Sequence, residues 1–278
     1  MNNLALPLVL TAALWGTGFA LAQPEKTTMV VGKGSVAEIA PGLLEGYLDR
    51  AELLDSAAFV PAAPEANSAR QALDTAWAER MRQLRLTPRW DKAIRDADLS
   101  FPAALDAFSC SLGFDISETT TPALYLLLRR SMTDIGLSSY SAKNTYQRER
   151  PFMVDNTPVC TPADEDKLRK DGSYPSGHTA IGWGWALILS ELAPDRAEAI
   201  LARGHAYGES RTVCNVHWYS DVVAGRVVGA AAVARLQSNE AFLAAKEAAR
   251  AEIERIRAAD ITLEDDCTAE EATLAPAN

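Results

Sequence analysis

The chain is poor in the residues that build metal and redox centres: its 278 residues include four cysteines and three histidines. No C-x-x-C pair occurs, which argues against a cysteine-rich zinc site. Beyond residue 22 no apolar run approaches the ~20 residues a membrane helix needs; Ile181 to Leu189 falls well short. There is no G-x-G-x-x-G, no succession of alternating strand-like runs and no internal repeat, so dinucleotide-binding folds, β-sandwiches and solenoids are set aside. Positive charge is also scarce, with 27 Lys and Arg against 37 Asp and Glu and a net charge of -10. A field of that sign disfavours nucleic-acid backbones and anionic membrane surfaces. Any anion this chain binds is held by a local cluster of cations.

What is present begins with an export signal. Residues 1–22, MNNLALPLVLTAALWGTGFALA, are uncharged and largely apolar and close on Ala20-Leu21-Ala22, the small-x-small pattern a signal peptidase accepts. Cleavage after Ala22 gives a periplasmic or secreted protein with no membrane association. An uncleaved anchor is the competing reading, because the terminal amine is the sole positive charge ahead of the apolar run. In an exported chain the even set Cys110, Cys160, Cys214 and Cys267 favours two disulfides, whose pairing the sequence leaves open.

Helix signals dominate the remainder. Asn67 and Ser68 precede Leu73, Trp77, Met81 and Leu84 at helical spacing, and Pro88 closes that segment. Thr87-Pro88 and Thr121-Pro122 each set an N-cap before proline at the first helical position. Asp195 and Glu198 have capping-box spacing, and Ser238 opens an amphipathic stretch reaching about Ala259. These signals predict an all-α fold: a single helical domain at 65–259, whose central bundle carries the site, after a lead-in at 23–64. Residues 152–174 read as an ordered connection outside the core. The acidic tail at 260–278 lacks large apolar groups and has Cys267 as its tether.

Three segments carry the chemistry. In GSYPSGHTA, residues 172–180, Pro175 and Gly177 shape the start of a helix whose free N–H groups at Ser176 to Thr179 favour an anion. The plainer reading is a capped helix with His178 on the surface. Upstream, Lys143 and Arg150-Pro151 are seven residues apart; a helix running to the proline would put both cations on one face. A solvated basic face, with Arg148 alternating with Glu149, is the plainer reading there. Downstream, Ser210-Arg211 leads to His217 and Asp221, four apart, which on a helix share a face. The carboxylate then fixes one imidazole nitrogen and leaves the other unprotonated, as a nucleophile requires. A satisfied histidine in a polar contact is the alternative. His205 lies outside these segments and reads as a packing or surface residue; Trp183, Trp185 and residues 187–189 read as core.

In order, the segments match K-x6-R-P, P-S-G-H and S-R-x5-H-x3-D at every specified position. The chain resembles the type 2 phosphatidic acid phosphatase superfamily. Its GSYPSGHT, TPALYLLLRR and Arg150-Pro151-Phe152 further resemble the class A bacterial non-specific acid phosphatases, from about Leu53 to Ala259. Asn215 departs from the glycine frequent in that family. The resemblance implies an exported, metal-independent acid phosphatase without cofactor, acting on small phosphate esters and assembled as a homodimer. It implies His217 as the nucleophile that becomes phosphohistidine, Asp221 as its orienter and His178 as the proton donor to the leaving oxygen. Lys143, Arg150, Ser176, Gly177 and Arg211 would bind phosphate. Phosphotransfer to alcohols is a possible side activity.

Given those roles, a Cys160 to Cys214 bridge would pin two phosphate-binding segments together and leave Cys110 with Cys267. The rival readings are a vanadium-dependent haloperoxidase, for which the chain is short, and a non-catalytic phosphate-binding protein, which has no use for two histidines and an orienting aspartate. A membrane lipid phosphatase needs several spans.

Overall fold

Strands come before any helix. The computed structural model describes residues 28–30, 35–263 and 267–274, so the expected signal peptide lies outside the described residues. In it β1 (Thr28–Val30), β2 (Ser35–Ala40) and β3 (Leu43–Leu44) form an antiparallel sheet in that order. Thr28 pairs with Ala37 and Ala40 with Leu43; the turn between β2 and β3 uses Gly42 at φ 77°, where a side chain would be strained. This sheet is a minor addition to an otherwise all-α fold. Strands of three, six and two residues are too short for alternation to register in the sequence.

Helices account for the rest: α1 (Ala69–Arg82), α2 (Pro88–Arg95), the single turns α3 (Ala103–Asp106) and α4 (Ser109–Leu112), α5 (Pro122–Leu137) and α6 (Tyr140–Tyr146). The short α7 (Pro151–Asp155) and α8 (Glu165–Leu168) precede the long α9 (Gly177–Leu192), α10 (Ala197–Val213), α11 (Tyr219–Leu236) and α12 (Glu240–Ala258); α13 (Thr268–Leu274) lies in the tail. Ser68 caps α1 by accepting from Gln71 N at 3.1 Å, and Pro88 and Pro122 open α2 and α5 as their positions predict. Two local expectations fail. Asn239, not Ser238, caps α12, accepting from Phe242 N at 2.9 Å. Asp195 and Glu198 form no capping box, because Asp195 lies in a 3-10 turn and its carboxylate pairs with Arg257.

α9 forms the axis of the core. Trp185, Ile188 and Leu189 are fully buried where α5, α10, α11 and α12 pack around them, and Trp185 Nε1 donates to Leu128 O at 3.0 Å. α11 meets α9 through Gly225 and Gly229, which share a face. A Cβ at Gly225 would lie 2.6 Å from Ser176 O, and one at Gly229 would lie 2.4 Å from Ala180 O. These glycines bring Asp221 beside the start of α9, where Ser176 N donates to Asp221 O at 3.0 Å.

The peripheral segments are bound into this body. Tyr47 and Leu48 of the lead-in are buried, and their N–H groups donate to Asp134 of α5 at 2.8 and 3.0 Å. The 152–174 connection, expected outside the core, contributes Phe152, Val159 and Cys160 to a second apolar cluster with Met81, Trp90, Val213 and Cys214. Cys160 is bonded to Cys214 and Cys110 to Cys267, the pairing the site roles suggested. The second bridge holds the tail, where Glu270 of α13 forms ion pairs with Lys92 and Arg203. Leu73, placed by apolar spacing on the buried face of α1, is 56% exposed, because α1 turns Asp74, Ala78 and Met81 inward instead.

Gly225→Ala is expected to destabilise the fold by about 1–3 kcal/mol through overpacking against the Ser176 carbonyl. Thermal or urea unfolding measures this. An unchanged midpoint would mean that the contact between α9 and α11 is looser than described.

Candidate active site

The start of α9 forms one wall. Ser176 adopts the extended N-cap conformation, and its Oγ accepts from Thr179 N at 3.3 Å and Thr179 Oγ1 at 2.9 Å. A Cβ on Gly177 would come within 3.3 Å of Ser139 Oγ and 3.9 Å of Lys143 Cε, so glycine lets the backbone approach these side chains closely at this corner. His178 follows in the first turn, its Nε2 3.1 Å from Ala97 O. A carbonyl only accepts, so Nε2 carries the proton in this contact and Nδ1 is the nitrogen that exchanges one.

Lys143 and Arg150 converge, though not by the route the spacing predicts. α6 stops at Tyr146, Gln147 takes a left-handed conformation at φ 42°, and Arg150 is extended before Pro151. Proline disfavours a helical residue before it, so one continuous helix is not formed. Instead the backbone of 148–149 lies against the other two segments, with Ser173 N of GSYPSGHTA donating to Arg148 O and Trp218 Nε1 beside His217 donating to Glu149 O, both at 2.8 Å. Lys143 Nζ donates to Gly172 O at 2.6 Å and to Asp171 Oδ2 at 3.3 Å. Arg150 Nη2 donates to the same carboxylate oxygen at 3.2 Å.

The third wall is the turn from α10 to α11. Arg211 O accepts from both Val216 N and His217 N, at 3.2 and 3.3 Å, closing a tight loop in which Asn215 has φ 62°. Asparagine is among the few residues besides glycine that tolerate this region. Its Nδ2 also donates to Thr157 Oγ1 at 2.6 Å. The exchange of glycine for asparagine is thereby explained. His217 precedes α11 and does not share a helical face with Asp221. Its Nδ1 nevertheless lies 3.3 Å from Asp221 Oδ2, because Asp221 sits in the first helical turn and also accepts from Trp218 N at 2.8 Å.

A cavity of about 980 Å³ is bounded by Lys143, Arg150, Gly177, His178, Arg211 and His217. Ser176 and Asp221 stand behind that lining, both fully buried. Phe101, Tyr125 and Ile181 also line the cavity and give it an apolar part. Arg211 is 2% exposed, yet its Nε and Nη1 make no hydrogen bond. Arg150 Nη1 donates to Val216 O at 2.8 Å and lies 3.1 Å from His217 Nε2, so the imidazole lone pair faces a cation.

Burial of so much positive charge depresses every base here. Arg211 is pushed down to about 10 by burial and further by Arg150; Lys143 falls to about 8 for the same two reasons. His178 and His217 both lie well below the usual imidazole range: burial is the main cause, followed by Arg211 for His178 and by Arg150 and Lys143 for His217. Asp171 is the carboxylate shared by Lys143 and Arg150. Among the described residues no group of three His, Cys, Asp or Glu could hold a metal ion.

Four participants escape the sequence reading. The Arg148 side chain is 8% exposed and not on a solvated face; it bridges Asp221 and Asp74. Asp171 carries the cation pair. Asp96 accepts from Ser210 Oγ at 2.5 Å, linking Arg211's neighbour to the residue before Ala97. The local signal was faint: the third charge between Lys143 and Arg150, and the acidic residue before GSYPSGH. His205 is half-exposed beside Glu209, as a surface histidine would be.

Residues 122–239 match the PAP2 superfamily. The chain is 43% identical over 212 residues to a non-specific acid phosphatase of Providencia stuartii, covering 76% of this chain and 86% of that protein. It is 40% identical over 215 residues to an acid phosphatase of Zymomonas mobilis subsp. mobilis, covering 76% and 80% respectively. A non-specific acid phosphatase of Salmonella typhimurium is 47% identical over 157 residues, 56% of this chain and 63% of its own length. The chain belongs to the PAP2 superfamily. Within it, the chain falls among the class A non-specific acid phosphatases.

Inorganic phosphate is expected to raise the melting temperature, by the equivalent of about 2.7 kcal/mol at a hundredfold excess over Kd. Arg211→Met, which replaces a buried guanidinium lacking partners at Nε and Nη1 by an apolar chain, should melt higher without phosphate and lose most of the increment. A variant as phosphate-responsive as the wild type would show that Arg211 holds no anion.

Proposed function

We propose that the protein is an exported, metal-independent acid phosphatase that hydrolyses a broad range of phosphate monoesters through a phosphohistidine. The observation that carries this reading is the buried Arg211 guanidinium, with Nε and Nη1 unbonded, sharing a cavity with Lys143, Arg150 and two histidines. A tetrahedral dianion matches that set. Phosphate-ester hydrolysis requires up to ~10²¹-fold acceleration, most of it from positioning and from charge placed against the phosphoryl oxygens.

Phosphate oxygens would draw Arg150 away from His217 and meet Lys143, Arg211, the Gly177 N–H and the Ser176 hydroxyl. The freed Nε2 lone pair of His217 forms a bond to phosphorus as the bond to the leaving oxygen breaks. Asp221 keeps the proton on Nδ1 and stabilises the positive charge that develops. His178 gives a proton to the leaving oxygen, then takes one from water as that water attacks phosphorus and the P–N bond breaks. An alcohol in place of water gives phosphotransfer.

The depressed basicity of His217 explains work in acid: an ordinary imidazole protonates near ~6.5, whereas this one stays an unprotonated nucleophile below that pH. His178, also depressed in the free protein, needs the opposite influence, and the bound phosphoryl charge supplies it. Below about pH 6 the ester itself carries an extra proton. Charge neutralisation by three cations gives no role to a metal. The size of the cavity, about 980 Å³, and its apolar lining at Phe101, Tyr125 and Ile181 leave the leaving group loosely specified, in keeping with broad substrate range. In this reading the protein acts in the periplasm or the medium as a homodimer. No helix among the described residues is long and apolar enough to cross a membrane.

With p-nitrophenyl phosphate at mildly acidic pH, turnover should persist in EDTA, and rapid quenching should trap an acid-labile phosphoenzyme. His217→Ala should abolish both; residual labelling would remove His217 as nucleophile, and a strict need for added Mg²⁺ or Zn²⁺ would defeat the metal-free reading. Truncating His178 to alanine should reduce hydrolysis of alkyl phosphates more than of nitrophenyl phosphate, since a good leaving group needs less protonation. Equal losses would argue against an acid role.

A further inference from the structure

The Asp221 carboxylate is held from behind by a charge network that reaches the N-terminal helix. Arg148 Nη1 donates to Asp221 Oδ1 at 2.6 Å and to Ser220 Oγ at 2.7 Å; its Nη2 donates to Asp74 Oδ2 and Gln71 Oε1, both at 2.6 Å. Asp74, fully buried in α1, also accepts from Ser220 N at 2.8 Å and from Ser220 Oγ at 2.6 Å. The guanidinium lies 5.3 Å from the centre of the Trp218 ring, over its face. Arg148 is not among the residues lining the cavity, and its bond to the catalytic cluster runs through Asp221. Asp221 Oδ1 is thus committed to Arg148, while Oδ2 is left for His217 Nδ1 and Trp218 N.

We propose that Arg148, clamped by Asp74, is the positioning residue that keeps Asp221 ionised and aimed at His217, so that α1 takes part in setting the tautomer of the nucleophile. The inference rests on the proposed role of His217. Burial pushes the Asp221 carboxyl above its usual range, and Arg148 is the strongest opposing influence, followed by the Trp218 N–H and Ser173. From the cavity side Lys143 and Arg150 also feel Asp221, and Tyr174 lies within its field. Asp74 opposes Arg148 in sign but holds it in place. A protonated Asp221 would become the donor to Nδ1. The histidine proton would then sit on Nε2, and the nucleophilic lone pair would be lost.

Arg148 could be no more than a structural strut, and the test separates the two roles. Arg148→Met should lower kcat by ~10²-fold, within the ~10⁴ that loss of an orienting aspartate produces in a catalytic triad. KM should change little. Removing the positive charge raises the pH at which Asp221 protonates, so the acid limb of the kcat profile moves to higher pH. Arg148→Lys, which keeps the charge but cannot span both carboxylates, should shift the limb in the same direction by less. Independently of turnover, nitrogen-15 correlation spectra of the phosphate-free protein should show His217 protonated on Nδ1 in the wild type, with a fraction moved to Nε2 in Arg148→Met. A folded Met variant with unchanged acid limb and tautomer would overturn the inference; if Met does not fold, the same result in the Lys variant would do so. Failure of the wild type to form a phosphoenzyme would instead defeat the proposed nucleophile. The tautomer measurement would still decide whether Arg148 controls His217.

Discussion

The structure depends on one unfavourable arrangement: three cations, Lys143, Arg150 and Arg211, buried within one cavity of an acidic protein. Like charges removed from water repel and lose hydration, and the fold supplies less compensation than they require. Asp171 is shared between Lys143 and Arg150, and backbone carbonyls of 168, 171, 172 and 216 accept the remaining Arg150 hydrogens. Arg211 is left with two donor atoms unbonded. The lowered basicity of Lys143, Arg150, His178, Arg211 and His217 is the consequence of that shortfall. A phosphoryl dianion has the charge and the oxygen geometry to relieve it.

Much of the scaffold reads as what is needed to hold such a cluster closed. α9 lies at the centre of the apolar core, so its N-terminus is anchored by buried packing along its whole length. Gly225 and Gly229 let α11 approach closely enough for Asp221 to meet the cap of α9. The Cys160 to Cys214 bridge fastens the connection beyond Arg150 to the turn after Arg211. From the rear, Asp96 joins Ser210 and Arg203, and the tail adds Glu270. Arg148 and Asp74 fix the last free carboxylate oxygen. Local strain and charge are therefore opposed by long-range packing, as expected where a binding site sacrifices stability for preorganisation.

The sequence made the identity of the cluster legible because motifs record residue type and spacing, which are what the chemistry selects. It made the path to that cluster much less legible. Lys143 and Arg150 meet through a broken helix, since Pro151 and the left-handed Gln147 override helical spacing. His217 and Asp221 meet across a helix start. Leu73 misled because burial on α1 was decided by the ion pair of Asp74, and not by apolar periodicity. Arg148 looked like a solvated charge because its partners lie 72 to 77 residues away, while Glu149 beside it offered a local counter-charge. The lead-in strands were too short to register, and the place of the tail followed from a single cysteine.

The central claim is that the cationic cavity and the His217 lone pair together await one phosphoryl group in line with His178. A crystal structure of the protein with bound orthovanadate tests it most directly, because vanadate adopts the five-coordinate shape of the transferring phosphoryl group. The account predicts vanadium bonded to His217 Nε2, equatorial oxygens on Lys143, Arg150 and Arg211, and an apical oxygen facing His178. Vanadate bound elsewhere, or within the cavity with Arg150 still hydrogen-bonded to His217, would contradict it.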